Sequence, residues 1–262
     1  MINRLTQLFQ TDRKNLLSVY FTGGYPKLDD TLKIAQELQN AGVDLIEIGI
    51  PFSDPVADGP VIQDSNQQAL ENGMTVRLLF SQIRELRKTV NIPVLLMGYF
   101  NPVYQFGVEE FCKECQETGI DGLIIPDMPL WEYETQWKAI LEKFGLFNIF
   151  LVTPQTQEER IRKIDELSSS FIYLVSSASV TGTKSAVSDS QLKYFERIKS
   201  MKLKSPALIG FGISDKETFE GACAFADGAI IGSAFIKVLD NLPEGNPDVR
   251  FVPIKNFVKS LR

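Results

Sequence analysis

Short apolar runs recur along the chain with amphipathic stretches between them, the alternation expected of βα units on a parallel sheet. Eight runs read as strands: Leu16 to Phe21, Leu45 to Gly49, Val94 to Met97, Gly122 to Ile125, Asn148 to Val152, Phe171 to Val175, Ala207 to Gly210 and Gly228 to Ile231. Between them, sets such as Leu28, Leu32, Ala35, Leu38 and Ile161, Ile164, Leu167 recur at the spacing of one helix face. Eight strands with helices between them predict a closed (β/α)8 TIM barrel. Ile2, Leu5, Leu8 and Phe9 predict an extra N-terminal helix able to plug the barrel bottom, and Ile254, Phe257, Val258 and Leu261 a last helix completing the outer ring. No linker, charge run or low-complexity segment divides the chain, so residues 1–262 are read as one catalytic domain.

A weak internal echo agrees with this layout. Ala41-Gly42-Val43-Asp44-Leu45, Thr118-Gly119-Ile120-Asp121-Gly122 and Ala226-Asp227-Gly228-Ala229 each set an aspartate just before a strand, and each resembles a helix-ending glycine or tight turn. Two connections are long for such units, Ile50 to Val61 after strand two and Ser176 to Ser190 after strand six. Long loops in compact domains tend to be lids or binding loops, and both follow the C-terminal ends of strands, where barrel enzymes place their chemistry.

The pleat orients the polar residues inside the strands. In Leu45-Ile46-Glu47-Ile48-Gly49, Ile46 and Ile48 suit the helix-facing side, which turns Leu45, Glu47 and Gly49 into the lumen. The same count groups Tyr20 with Ser18 and sets Tyr173 opposite Ile172 and Leu174, so one glutamate and two tyrosines share a cavity. A carboxylate within a β-branched run is costly to bury unless the site uses it, whereas the tyrosines are read equally as core aromatics. Asp58, in Ala57-Asp58-Gly59-Pro60, has the sequence of an ordinary turn, but its loop leaves the strand that carries Glu47. Asp127, in Ile125-Pro126-Asp127-Met128-Pro129, is read either as a site residue or as a cap on the following helix.

Composition narrows the chemistry. The 262 residues are 44% apolar and 10% aromatic, enough for a sizeable core, and carry a net charge of −6 with no basic block, which argues against a nucleic-acid or membrane-surface footprint. No run approaches a membrane span and the start lacks the apolar core of a signal peptide, so a cytoplasmic protein is expected. There is no histidine, leaving carboxylates, tyrosine, lysine or cysteine for any proton transfer. Cys112 and Cys115 share helical spacing with Val108 and Phe111 and read as small core residues; no metal site is expected. Val180-Thr181-Gly182-Thr183, Gly210-Phe211-Gly212-Ile213-Ser214 and Gly232-Ser233-Ala234 bring glycines and helix starts to the rim after strands six to eight, where barrels often bind phosphate, although glycines there also cap helices.

With those residues in view, the chain resembles the tryptophan synthase alpha subunit family over essentially its whole length. The most specific match is Leu45-Ile46-Glu47-Ile48-Gly49-Ile50-Pro51-Phe52-Ser53-Asp54-Pro55-Val56-Ala57-Asp58-Gly59-Pro60-Val61-Ile62-Gln63. Supporting matches are Phe21-Thr22-Gly23-Gly24-Tyr25-Pro26, Pro126-Asp127-Met128-Pro129, Tyr173-Leu174-Val175-Ser176 with Val180-Thr181-Gly182, Gly210-Phe211-Gly212-Ile213-Ser214 and Gly232-Ser233-Ala234.

The resemblance implies retro-aldol cleavage of indole-3-glycerol phosphate to indole and glyceraldehyde 3-phosphate, a carbon–carbon lyase reaction of tryptophan biosynthesis, with no cofactor in this subunit. It makes Glu47 the proton-transferring acid/base and Asp58 the partner of the indole N–H. Tyr20, Tyr99, Asp127, Tyr173 and Thr181 become substrate-binding positions, and Gly182, Phe211, Gly212, Gly232 and Ser233 the phosphate cradle. It also implies a pyridoxal-phosphate beta subunit as partner in an αββα heterotetramer, with the two long loops as covers over the site. Where many members carry a basic residue and a glycine in the sixth loop, this chain has Ser176-Ser177-Ala178-Ser179. Two other readings fit the residues: a non-catalytic regulatory subunit that binds a phosphate ligand, and another phosphate-binding barrel enzyme of the same pathway. Enzymes of the latter kind usually recruit a lumen lysine, which none of the eight strand runs contains.

Overall fold

A computed structural model describes residues 3–11, 13–176, 188–210 and 212–262. The strands are β1 (Leu16–Thr22), β2 (Leu45–Gly49), β3 (Val94–Met97), β4 (Gly122–Ile124), β5 (Phe147–Val152), β6 (Ile172–Val175), β7 (Ala207–Gly210) and β8 (Gly228–Ile231). All neighbours pair in parallel and β8 pairs with β1, so the sheet closes into a barrel. The expected runs shift by a residue or so. Phe147 joins β5 because its N–H already donates to the Asp121 carbonyl, at 3.2 Å, and Ile125 leaves β4 because its carbonyl accepts the turn bond from Met128, at 3.1 Å.

The pleat sorts apolar side chains into two layers. Leu16, Leu45, Leu95, Ile124, Phe147, Ile149 and Leu208 fill the lumen, while Leu17, Ile46, Ile48, Val94, Leu96, Leu123 and Ile209 face the helices. Burying a side chain of this size contributes roughly 1.5–3 kcal/mol, so a one-residue slip of any strand would exchange the layers at high cost. The N-terminal helix Arg4–Phe9 belongs to the inner layer. Asn3 caps it by accepting from the Leu5 N–H at 2.9 Å, Leu5 and Leu8 enter the lumen cluster, and Phe9 lies 5.4 Å from Phe171 between ring centres, so the barrel bottom is plugged as expected.

The three aspartates of the sequence echo act as clips at the same end. The Asp44 carboxylate accepts the Leu17 N–H at 2.9 Å, Asp121 that of Val94 at 2.9 Å, and Asp227 that of Ala207 at 3.0 Å, so each aspartate ahead of an even strand fastens the start of the odd strand before it. Arginines balance the first two: Arg13 and Arg262 pair with Asp44, and Arg4 and Arg87 with Asp121. Gly42 and Gly119 end their helices with left-handed φ of 96° and 75°, as the motif implies. The third motif departs from it. Gly228 lies inside β8, and its need is space, since a Cβ there would sit 2.7 Å from Leu16 Cβ and closer still to the Leu16 carbonyl.

Cys112 and Cys115 are buried on helix Val108–Thr118, and burial raises both thiols, that of Cys112 to about 12, which leaves them as core residues. Among the described residues no helix is long and apolar enough to cross a membrane, and no group of three His, Cys, Asp or Glu is arranged to hold a metal ion.

Candidate active site

Glu47 sits at mid-strand on β2, level with Tyr20 of β1 and Leu95 of β3, and is fully buried. Its Oε1 accepts the Ser18 hydroxyl at 2.7 Å; its Oε2 has no partner among the described residues. Among the described residues no lysine or arginine pairs with it, and burial raises its carboxyl from an ordinary 4.5 to about 7, against the lowering pull of the Ser18 hydrogen bond. A glutamic acid that titrates near neutrality suits both halves of a proton-transfer cycle.

Asp58 is not a self-bonded turn residue. Its backbone N–H closes a turn onto the Pro55 carbonyl at 3.0 Å, but the residue is only 7% exposed and its carboxylate accepts the Tyr99 hydroxyl at 2.9 Å. Tyr99, at the end of β3, accepts the Ala57 N–H at 2.9 Å through the same oxygen and lies against Phe52, with ring centres 5.2 Å apart. One phenol therefore holds the loop and aims the carboxylate. Burial raises Asp58 from 3.8 to about 6, with the Tyr99 bond pulling the other way.

Tyr20 and Tyr173 complete the cavity. Both are buried, and burial raises both phenols; Tyr173 is raised further by the negative charges of Glu47 and Asp58, and Tyr20 by that of Asp58. The alternation count therefore assembles Glu47, Tyr20 and Tyr173 correctly, and the loops add Asp58 and Tyr99. At the rim, Gly232 precedes helix Ser233–Asp240 with no side chain capping its first turn, and a Cβ there would approach Tyr20 Cδ1 at 3.6 Å. Those uncapped N–H groups stand beside the tyrosine, where an anion would be welcome. Gly212 follows β7 with φ of 77°. Phe211, Thr181 and Gly182 lie outside the described residues.

Asp127 does not join this group. It is exposed, and its Oδ1 accepts the Phe100 N–H at 2.8 Å. It thus caps helix Phe100–Phe106 of the preceding βα unit, not the helix that follows it. Its neighbours Phe100, Tyr104, Pro129 and Trp137 line an open cleft of about 590 Å³.

The tasks of several residues escaped the sequence reading. Thr22 and Ser65 share a hydrogen bond of 2.7 Å, Thr22 reaches the Tyr20 hydroxyl at 3.4 Å, and Asn66 accepts the Phe52 N–H at 3.0 Å, which ties the loop after β2 to helix Pro60–Glu71. Gly49 and Gly210 are the spaces the tyrosines fill: a Cβ at either would collide with the hydroxyl of Tyr20 or Tyr173. The usable signal was glycine at a strand end next to a lumen tyrosine one strand away, which needs the register as well as the sequence.

A sequence model of the tryptophan synthase alpha chain matches residues 5–253. The chain belongs to the tryptophan synthase alpha chain family. It is 57% identical over 261 residues to the alpha chain of Flavobacterium johnsoniae, covering 100% of both, and 61% identical over 238 residues to that of Flavobacterium psychrophilum, covering 91% of this chain and 94% of the relative. Among solved structures it superposes on a tryptophan synthase chain from Mycobacterium tuberculosis with a TM-score of 0.87 at 29% identity, covering 100% of this chain and 97% of that one. A mutant tryptophan synthase alpha-subunit from Pyrococcus furiosus gives 0.85 at 32% identity, covering 95% of this chain and 98% of that one. As a tryptophan synthase alpha chain it is a carbon–carbon lyase of tryptophan biosynthesis, cleaving indole-3-glycerol phosphate to indole and glyceraldehyde 3-phosphate. Neither alternative, a regulatory subunit nor another barrel enzyme of the pathway, is favoured.

Proposed function

We propose that Glu47 and Asp58 carry the alpha reaction, in one barrel domain spanning residues 1–262. The observation that supports this most directly is two buried carboxylates with no cation beside either among the described residues, each raised toward neutrality by burial. Glu47 begins protonated and gives its proton to indole C3. Positive charge then spreads over the ring and its N–H, where the Asp58 carboxylate accepts that hydrogen and offsets the charge. The Glu47 carboxylate next takes the proton of the glycerol hydroxyl beside the breaking bond; the C–C electrons return to the ring, indole leaves, and Glu47 is again the acid. One carboxyl thus serves as acid and then as base, which a group titrating near neutrality does with the least loss.

Tyr20, Tyr99 and Tyr173 form the walls for the indole, and Gly212, Gly232 and Ser233, with Gly182 and Phe211, the phosphate cradle. Thr181 and Asp127 are proposed substrate-binding positions; Oδ1 of Asp127 accepts the Phe100 N–H. Membership of the family implies a beta-subunit partner, and we place the chain in an αββα assembly whose beta subunits hold pyridoxal phosphate, in the cytoplasm. Support for docking on the barrel's upper rim comes from exposed Val56, Tyr104 and Trp131, which follow the consecutive strands β2, β3 and β4.

The test is indole release from indole-3-glycerol phosphate by wild type, Glu47→Gln and Asp58→Asn, each with and without a tryptophan synthase beta subunit. Turnover that rises with the partner and nearly vanishes in both variants is expected; a variant at full rate would remove its residue from the reaction.

A further inference from the structure

Among the described residues, the inner layer below Glu47 is apolar except at one position. Ser18 pairs in register with Leu45 of β2 and Ile230 of β8, both lumen-filling, and has no solvent exposure. A buried hydroxyl costs about 1–3 kcal/mol unless it finds a partner, and an aliphatic side chain would fill such a position without that cost. The partner Ser18 finds is the Glu47 carboxyl, one step further up the barrel on the neighbouring strand.

We infer that Ser18 is a positioning residue for the alpha reaction: its hydroxyl holds Oε1 of Glu47 and so reserves Oε2 for proton exchange with the substrate. Three observations lead there. The Ser18 Oγ to Oε1 distance is 2.7 Å, short enough for a strong bond to a carboxylate. Oε2 is equally buried yet unpartnered among the described residues, so the two oxygens are already differentiated before substrate arrives. The strand backbone fixes Ser18, whereas the glutamate side chain has three rotatable bonds, so the hydroxyl is the anchor and the carboxyl the anchored group. This rests on Glu47 being the acid/base of the preceding section.

Among the described residues, the groups that act on Glu47 or share its cavity are Tyr20 from β1, Tyr173 from β6, Asp58 from the loop after β2 and Tyr99 beyond it; no cation is among them. Of the described residues, Ser18 is consequently the one that favours the ionised form against the pull of burial. Removing its hydroxyl raises the Glu47 carboxyl above about 7 and frees the side chain to change rotamer.

The experiment compares wild type, Ser18→Ala, Ser18→Thr, Ser18→Cys and Glu47→Gln in two readouts: the pH dependence of kcat and kcat/KM with the beta subunit present, and an infrared titration of the carboxyl stretch that Glu47→Gln abolishes. Ser18→Ala should move the alkaline limb and the infrared titration up together by about one pH unit and lower kcat about tenfold with little change in KM. Ser18→Thr, which restores a hydroxyl, should return both toward wild type, and Ser18→Cys, a weaker donor of similar shape, should fall between. The cysteine variant carries the test if the alanine variant does not fold. A titration superposable on wild type in the variants lacking a strong donor would overturn the inference while leaving Glu47 in its role. Full activity of Glu47→Gln would instead overturn the role itself.

Discussion

Replacing Gly49 by alanine sets one methyl group against the Tyr20 ring. The new Cβ would stand 2.7 Å from Cζ and 2.9 Å from Cε2, and nearer still to the hydroxyl. Ordinary carbon contacts lie at about 3.5 Å or more, so the ring must retreat by roughly 1 Å. Tyr20 is 5% exposed and backed by Ile62 and Gly232, so this is overpacking, which typically costs about 1–3 kcal/mol of stability. A displacement of that size in the proposed indole wall costs about 100-fold in rate. Kinetics of indole release and urea melts should therefore both register the change. The double variant Gly49→Ala/Tyr20→Phe, which removes the worst collision and keeps the ring, should be less impaired than the two single changes combined, with a coupling above about 0.5 kcal/mol. Strict additivity, or a Gly49→Ala protein with wild-type rate and stability, would refute the reasoning that the glycine exists to seat the tyrosine.

Three further outcomes are expected. In the fold Glu47 keeps its proton to about 7, whereas the unfolded chain releases it near 4.5, so the folded state binds the extra proton in between. The stability this group contributes is present below 4.5 and is lost as pH rises through about 7, by up to about 3 kcal/mol. Glu47→Gln should accordingly gain on wild type in urea midpoint between pH 5 and pH 8, and parallel curves would contradict this. Tyr99→Phe removes the donor to Asp58 and leaves the Ala57 N–H without its acceptor; kcat/KM should fall roughly 10- to 100-fold and the acid limb of its pH profile move up from about 6, so an unmoved limb would count against the assignment. Asp121→Ala leaves the Val94 N–H without its acceptor and the partly buried Arg87 guanidinium, still bonded to the Gly119, Val90 and Ile92 carbonyls, without its carboxylate, and should cost about 3–5 kcal/mol in denaturant melts with KM unchanged; a loss below about 1 kcal/mol would show the clip to be incidental.

What the sequence made legible followed from period-two alternation. Once Ile46 and Ile48 were set outward, Glu47 had to enter the lumen, and the same count placed Tyr20, Ser18 and Tyr173. The recurring aspartates were legible as a pattern, but their task was not, because the N–H each one accepts belongs to the strand before it and not to its own. Gly49 and Gly210 were hidden for a related reason: what makes glycine necessary there is a side chain on a neighbouring strand. Asp127 shows the limit of local motifs. Its flanking prolines suggest a cap, and it is one, but for a helix that starts 27 residues earlier in the chain.

The aspartate clips also bear on the order in which the molecule assembles. They span only 27, 27 and 20 residues, short closures that sacrifice little chain entropy and form early in a folding chain. Neighbouring pairs β1–β2, β3–β4 and β7–β8 are thereby favoured to zip first, and pulse-labelled hydrogen exchange should find the Leu17, Val94 and Ala207 amides protected ahead of the β1–β8 seam. That seam joins opposite ends of the polypeptide, and across it Tyr20 meets Gly232. An enzyme built this way acquires its proposed phosphate rim and its proposed aromatic wall in the same closing event, so on that reading a nascent or partly unfolded chain has no half-formed pocket in which to capture substrate.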